Sequence, residues 1–300
     1  MTDLKNKRGI TIPSIGLGTY PLQGDQVSNA VVDALKAGYR LIDTSDDYHN
    51  EIGIGRGIAL AIEQKIVQRE DVFLLTKVSD NNTYKDDPLA GQYFCQNSSF
   101  MRKHTVEEVV REKVSISLRD LQTDYLDAVL IHVPYVGYFK DIWNTLCDLK
   151  DEGVIRYIGV SNCRPKHFEM LEDSKYQPQI HQFYMSPIGA KTDVVSYCKN
   201  KGIQLMTYSP LTDLRDGKVD MSIYEPMMKK YQKSAAQIIL RWNIQCGSIP
   251  LAKSSKIKRL QENFDVLSFE LSEEDMNILN SLNVNYQYIA ESKMSPGLWI

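Results

Sequence analysis

A carboxylate and a phenol stand just beyond a short apolar run in the stretch Tyr39-Arg40-Leu41-Ile42-Asp43-Thr44-Ser45-Asp46-Asp47-Tyr48. A phenol, with a free pKa of about 10, is a poor proton donor near neutrality unless a cation beside it stabilises the phenolate. Lys77 is the candidate cation, because it closes a second apolar run, Val72-Phe73-Leu74-Leu75-Thr76-Lys77. At ~4 Å and an effective dielectric of ~20 the attraction is roughly 4 kcal/mol, or about three pKa units at ~1.36 kcal/mol each. An ammonium turned toward a cavity needs an anion of its own, and Asp43 supplies one. A third run, Ala128-Val129-Leu130-Ile131-His132, ends in an imidazole. A lone aspartate after a strand is most often a cap or turn residue, and a lone lysine or histidine there is usually a solvated rim group. The coincidence of all four residue types at strand ends is what points to proton-transfer chemistry.

Those residues need strands to carry them. Short apolar runs alternate with amphipathic segments along the chain, the pattern of a parallel sheet wrapped in helices. Eight runs are legible, at 15–18, 39–43, 72–77, 125–132, 157–161, 180–183, 203–208 and 248–251. Helical patterns cover 27–37, 52–64, 106–121, 141–152 and 193–201, with Gly38, Gly153 and Gly202 placed to stop three of them. Thr105 with Glu108 and Ser234 with Gln237 fit capping boxes.

Eight such units predict an α/β fold, a (β/α)8 TIM barrel in a single domain over 1–300, whose C-terminal rim gathers the candidate residues. Gly53, Gly55 and Gly57 lie inside a helix-like pattern and lack the spacing of a dinucleotide-binding turn, which argues against an open doubly wound sheet. The long segment 78–104 after the third run breaks the rhythm. With Tyr84, Tyr93, Phe94 and Phe100 available to pack, it is expected to form a lid over the pocket, the plain alternative being a surface excursion with no role.

The chain is 43% hydrophobic and 24% charged, and 35 basic against 38 acidic residues give a net charge of −3. That balance argues against nucleic acid or an anionic membrane as the main partner and leaves a small molecule. The charged N-terminus has no signal-peptide core, and no run of ~18 apolar residues occurs, so a cytoplasmic monomer or weak homo-oligomer is expected. Five cysteines without Cys-x-x-Cys spacing imply reduced thiols, with neither a disulfide framework nor a zinc site.

Asp-Thr-Ser-Asp-Asp-Tyr-His-Asn-Glu, Leu-Thr-Lys and Leu-Ile-His-Val-Pro, in this order, resemble the catalytic tetrad segments of the aldo-keto reductases, and the likeness extends over almost the whole chain. The resemblance implies a reductase of aldehydes or ketones that uses NADPH and no metal. In it Tyr48 is the general acid, Lys77 its activator, Asp43 the partner of Lys77, and His132 the group that orients or polarises the carbonyl oxygen. It further implies that Ser161, Asn162 and Gln182 hold the nicotinamide carboxamide, and that Tyr208, followed by Ser209, stacks on the nicotinamide ring. The run from Lys253 to Asn263 matches a Lys-Ser-x4-Arg-x2-Glu-Asn pattern. By the same resemblance, Lys253, Ser254, Arg259, Glu262 and Asn263 belong to the 2′-phosphate end of NADPH, where positive charge and a helix N-terminus suit an anion. Asp47 and Tyr20 are candidates for holding substrate. His49, Val78, Ser79 and Ala252 depart from the usual family pattern, so the substrate pocket does not carry over. Two other readings remain open: an NADPH-binding redox-sensing or regulatory subunit with little turnover, and a Schiff-base role for Lys77.

Overall fold

The computed structural model describes residues 3–5, 10–79, 104–135 and 137–287. The chain starts with a small antiparallel sheet of β1 (Asp3–Lys5) and β2 (Thr11–Pro13). Eight parallel strands then close into a barrel: β3 (Gly16–Gly18), β4 (Leu41–Asp43), β5 (Phe73–Val78), β6 (Leu126–Ile131), β7 (Ile155–Ser161), β8 (Ile180–Tyr184), β9 (Gln204–Tyr208) and β10 (Ser248–Ala252). β10 pairs with β3 to complete the ring. The expected (β/α)8 topology is therefore present, with each strand overlapping its expected run.

The outer layer is built from α1 (Gly24–Lys36), α2 (Glu51–Glu63), α3 (Val106–Asp120), α4 (Phe139–Asp151), α5 (Pro165–Glu169) and α6 (Thr192–Lys201). It continues with α7 (Thr212–Arg215), α8 (Met221–Tyr231), α9 (Ala235–Gln245), α10 (Ile257–Phe264) and α11 (Glu273–Ser281). Both capping boxes form: Thr105 Oγ1 accepts from the Glu108 N–H at 3.1 Å, and Ser234 Oγ from that of Gln237 at 3.3 Å. Gly38 stops the first helix with φ +105°, a conformation only glycine takes without strain. The glycines of α2 serve packing. A Cβ at Gly53 would lie 2.5 Å from Val27 Cγ1, and one at Gly57 2.7 Å from the Ser28 carbonyl oxygen, so they let α2 sit directly on α1. No helix among the described residues is long and apolar enough to cross a membrane.

Side chains alternate between two apolar layers. Ile42, Leu74, Val129 and Ile131 point outward and pack under the helices. Leu41, Phe73, Leu75, Ala128, Leu130, Ile180, Met206, Ile249 and Leu251 fill the barrel interior together with Ile10 and Ile12, so the N-terminal sheet closes the floor. Gly16 makes room for this layer, since a Cβ there would lie 2.6 Å from Leu251 Cδ2.

The period of two along each strand then dictates what stands above the interior layer. Counting upward, Leu41 leads to Asp43, Leu75 to Lys77, Leu130 to His132, Ile180 to Gln182, Met206 to Tyr208 and Leu251 to Lys253. The barrel interior ends in a ring of polar side chains at the C-terminal rim. Residues 80–103, on which the lid expectation rests, lie outside the described residues.

Candidate active site

Lys77 is the centre of the rim. It is almost fully buried, and its Nζ donates to Asp43 Oδ1 at 2.8 Å and to the Thr44 carbonyl at 2.7 Å. Burial pushes the ammonium below its usual range, while the Asp43 carboxylate works against that shift. Nζ lies 5.1 Å from the Tyr48 ring centroid. The same oxygen of Asp43 is shared, because Gln182 Nε2 also donates to Oδ1, at 2.7 Å.

Tyr48 ends a short 3-10 turn, Asp46–Tyr48, capped by the Ser45 side chain. Its ring stands edge-on to His132, with centroids 5.8 Å apart, and 5.1 Å from the exposed ring of Tyr20. His132 is half-buried. Desolvation nonetheless pushes its pKa down to about 3, the Lys77 charge adding to the shift and Asp46 opposing it, so the imidazole is neutral at pH 7. The structure thus gathers Asp43, Tyr48, Lys77 and His132, with Tyr20 and the half-buried Asp47 at the same edge.

A second polar layer, not anticipated from the sequence, lies behind the first. Asp46 is buried and takes the Lys113 ammonium on Oδ2 at 2.9 Å, with the Ser79 N–H on both oxygens. Burial works to raise the Asp46 pKa, but Lys113 and Ser79 hold it below the usual carboxylate value. Next to it, the buried Glu51 accepts from Thr76 at 2.6 Å and Ser117 at 2.9 Å. The signal was present in α3, where Lys113 and Ser117 share the buried stripe of Val109, Val110 and Val114, four residues apart on one face.

Glu51 is paired with no cation among the described residues, and burial raises its pKa to about 7. A carboxyl held protonated in the folded chain stabilises most below its unfolded value near 4.5 and loses that contribution as pH rises through about 7. The loss is on the order of 3 kcal/mol. Urea denaturation from pH 4.5 to 8 is therefore expected to show a falling component that Glu51→Gln flattens. An unchanged profile in the variant would remove Glu51 as its source.

Around the rim, Ser161 Oγ donates to the Gln182 carbonyl at 2.9 Å, and Asn162 Nδ2 to the His132 carbonyl and to Ser161 Oγ, each at 3.0 Å. Tyr208 OH donates to Asn162 Oδ1 at 2.8 Å. Asn162 and Ser209 hold left-handed backbone, at φ +59° and +51°, which turns the chain sharply after β7 and β9. Gln182 is 1% exposed, and its Oε1 has no hydrogen-bond partner among the described residues. A buried acceptor left unpaired costs about 1–3 kcal/mol, so it marks a place where a ligand donor belongs.

Beyond β10, Lys253 is exposed and Ser254 is buried, its Oγ accepting from the Lys256 N–H at 3.1 Å just before α10. Arg259 lies exposed in the first turn of α10. Glu262, exposed, and Asn263, buried, follow three and four residues later on the same side. No group of His, Cys, Asp and Glu able to hold a metal occurs among the described residues.

The model of the Aldo/keto reductase family matches residues 14–284. The chain is 37% identical over 279 residues to the uncharacterized oxidoreductase YtbE of Bacillus subtilis (strain 168), covering 92% of this chain and 91% of that protein. It is 36% identical over 282 residues to a glyoxal reductase of the same organism, covering 93% and 92%. Among solved structures, a Bombyx mori aldo-keto reductase in complex with NADP superposes with a TM-score of 0.82 at 30% identity, covering 97% of this chain and 96% of that one. The barrel, its polar rim and these likenesses agree, and the chain belongs to the aldo/keto reductase family of oxidoreductases.

Proposed function

We propose that the chain reduces small aldehydes or ketones to alcohols with NADPH. The observation that carries this reading is the buried Lys77–Asp43 pair against the flank of Tyr48. A barrel interior has no structural need for a buried ammonium, and burying one is costly unless it is paired. Here its charge is available to the phenol beside it.

In this reading Tyr48 gives its proton to the carbonyl oxygen as negative charge develops there, and Lys77 stabilises the charge left on the phenolic oxygen. Asp43 and the Thr44 carbonyl fix Nζ in place. His132, neutral and edge-on to Tyr48, orients the substrate. When bound, NADPH supplies the hydride that reaches the carbonyl carbon.

The residues present fit that cofactor. The orphaned Oε1 of Gln182 offers an acceptor to the carboxamide N–H, with Ser161 and Asn162 beside it, and Tyr208, with Ser209 next to it, offers a flat ring. Lys253, Ser254 and Arg259 bring two cations and a hydroxyl to the N-terminal end of α10, with Glu262 and Asn263 following on its face. Tyr20 and Asp47 stand where a polar substrate would enter. The likeness to a glyoxal reductase favours small reactive carbonyls as substrates.

Titration of intrinsic fluorescence with NADPH and NADH, followed by NADPH oxidation with glyoxal and simple aldehydes, tests the proposal. Arg259→Leu is expected to weaken NADPH binding about 10- to 100-fold, the worth of a charge-assisted contact, and to leave NADH nearly untouched. Equal effects on both nucleotides would remove Arg259 from the 2′-phosphate. Tight NADPH binding with no turnover on any carbonyl would end the reductase reading.

A further inference from the structure

The connection after β7 leaves the barrel through successive backbone donors that each find an acceptor. The Asn162 N–H donates to the Gln182 carbonyl at 3.0 Å, the Cys163 N–H to His181 Nε2 at 3.1 Å and the Arg164 N–H to His167 Nδ1 at 3.0 Å. Of these acceptors, only His181 reaches over from the neighbouring strand with a side chain. It stands on β8 between the inward Ile180 and Gln182, so its ring points outward under the helices, where it is fully buried.

A backbone amide can only donate, so Nε2 is the bare nitrogen and the ring carries its proton on Nδ1. That proton points at Cys198 Sγ on α6, 3.5 Å from Nδ1. Phe183 stacks on the ring with centroids 4.9 Å apart, and Phe168 stands nearly perpendicular to it at 5.2 Å. Burial pushes the pKa down to about 3, with Lys191, His167 and Arg164 adding to the shift, so the ring stays neutral at pH 7. With both nitrogens engaged and its ring packed, the imidazole fixes the Cys163 amide.

What hangs on that amide is the residue before it. Asn162 holds left-handed backbone at φ +59°, a conformation that asparagine tolerates but that persists where the surroundings over-determine it. Its side chain bridges the ends of β6 and β9 through the His132 carbonyl and the Tyr208 hydroxyl. The β7–β8 ladder ends at Ser161 and Gln182, so beyond it the backbone of the turn is tied to β8 by the Asn162 N–H and the imidazole.

We infer that His181 is a positioning residue for the nicotinamide end of the cofactor site. It holds the Asn162–Cys163 turn on β8 from behind, so that Asn162 and the orphaned Oε1 of Gln182 meet the carboxamide as one rigid pair; this rests on the NADPH reading above. The imidazole itself does not touch the ligand. Its effect is confined to the nicotinamide half of the nucleotide, because the 2′-phosphate half is assigned to α10, beyond β10.

Two variants separate the tie from the bulk of the ring. His181→Phe keeps a flat ring and removes the acceptor, whereas His181→Gln places an amide oxygen where Nε2 stands. The first readout needs no nucleotide. In protein labelled with 15N-cysteine, the Cys163 amide is identified by the loss of its signal in Cys163→Ala. In His181→Phe it should exchange with deuterium about tenfold faster, the worth of one hydrogen bond, while the Cys147 and Cys246 amides change less than about twofold. His181→Gln should return the protection. An unchanged rate at Cys163, or equal acceleration at all these amides, would overturn the tie.

The second readout compares NADPH with 2′-phospho-ADP-ribose, the same nucleotide without its nicotinamide, by fluorescence titration. His181→Phe is expected to weaken NADPH about threefold to tenfold and to leave the shorter nucleotide within about twofold. His181→Gln should restore NADPH. Equal weakening of both nucleotides, or of neither, would overturn the positioning role. Wild-type protein that binds neither nucleotide, or both alike, would sink the carboxamide reading of Asn162 and Gln182, while the exchange rates still decide whether His181 holds the turn.

Discussion

Tyr48→Phe is expected to lower kcat by a factor of about 10²–10⁴, the range for loss of a general acid, while NADPH affinity changes less than about twofold. The reason lies in what the substitution keeps. The phenylalanine ring still fills the space beside His132 and Tyr20, 5.8 and 5.1 Å from their centroids, and the Lys77–Asp43 pair is untouched. Only the proton source is lost. Single-turnover oxidation of bound NADPH, read by absorbance, measures the chemical step apart from release. A rate within threefold of wild type would show that another group donates the proton. A parallel loss of nucleotide affinity would instead show that Tyr48 supports the cofactor site.

The second large effect is expected at the other end of the barrel. Asp127, on β6 and 4% exposed, accepts from both terminal nitrogens of Arg69 at 3.1 Å, from Arg156 Nη1 at 2.9 Å and from the Leu74 N–H at 3.0 Å. Both guanidiniums also pack on Tyr125, their Cζ atoms standing 4.1 and 3.9 Å from its ring centroid. Asp127→Ala would leave two facing cations and a buried N–H without their acceptor. Breaking one partner of such a buried pair costs about 3–5 kcal/mol. Arg156 is half-exposed and regains water, so about 3 kcal/mol is expected, with a fall in melting midpoint of roughly 6–12 °C. Kinetic constants at 20 °C should stay near wild type, since the site lies at the opposite rim. A thermal scan with no shift would mean that the arginines carry no net stabilising role.

The strands and the positions of Asp43, Lys77 and His132 at their ends were legible because both follow the same period. Once Leu41, Leu75 and Leu130 are read as barrel interior, Asp43, Lys77 and His132 fall on the same side two residues later. The N-terminal sheet was not legible. Strands of three residues are too short to display a period, and Ile10 and Ile12 become floor residues only when the barrel exists to be closed. The layer behind His132 was missed for a different reason. Lys113 in Val-Arg-Glu-Lys-Val reads as one more solvated helix lysine until its stripe is counted, and its partner Asp46 lies 67 residues away. Ser45 was hidden in a stretch where the neighbouring Asp43 and Tyr48 drew the chemical reading, and what it touches depends on where β6 ends.

The ring of polar residues above the apolar interior has an implication for how such a molecule changes. Asp43, Lys77, Gln182 and Tyr208 are carried by the same backbone rungs whose preceding inward residues are Leu41, Leu75, Ile180 and Met206, so their positions are as reproducible as the packing beneath them. Tyr20 and Asp47 belong to connections and are tied to no such layer. In the proposed reading, the Lys77–Asp43 pair that serves the proton donor is thereby anchored where drift is penalised by loss of the fold itself, whereas Tyr48 shares a short connection with Asp47. A lineage of these barrels can alter Tyr20 and Asp47 in the connections while the buried pair on the strands is inherited intact.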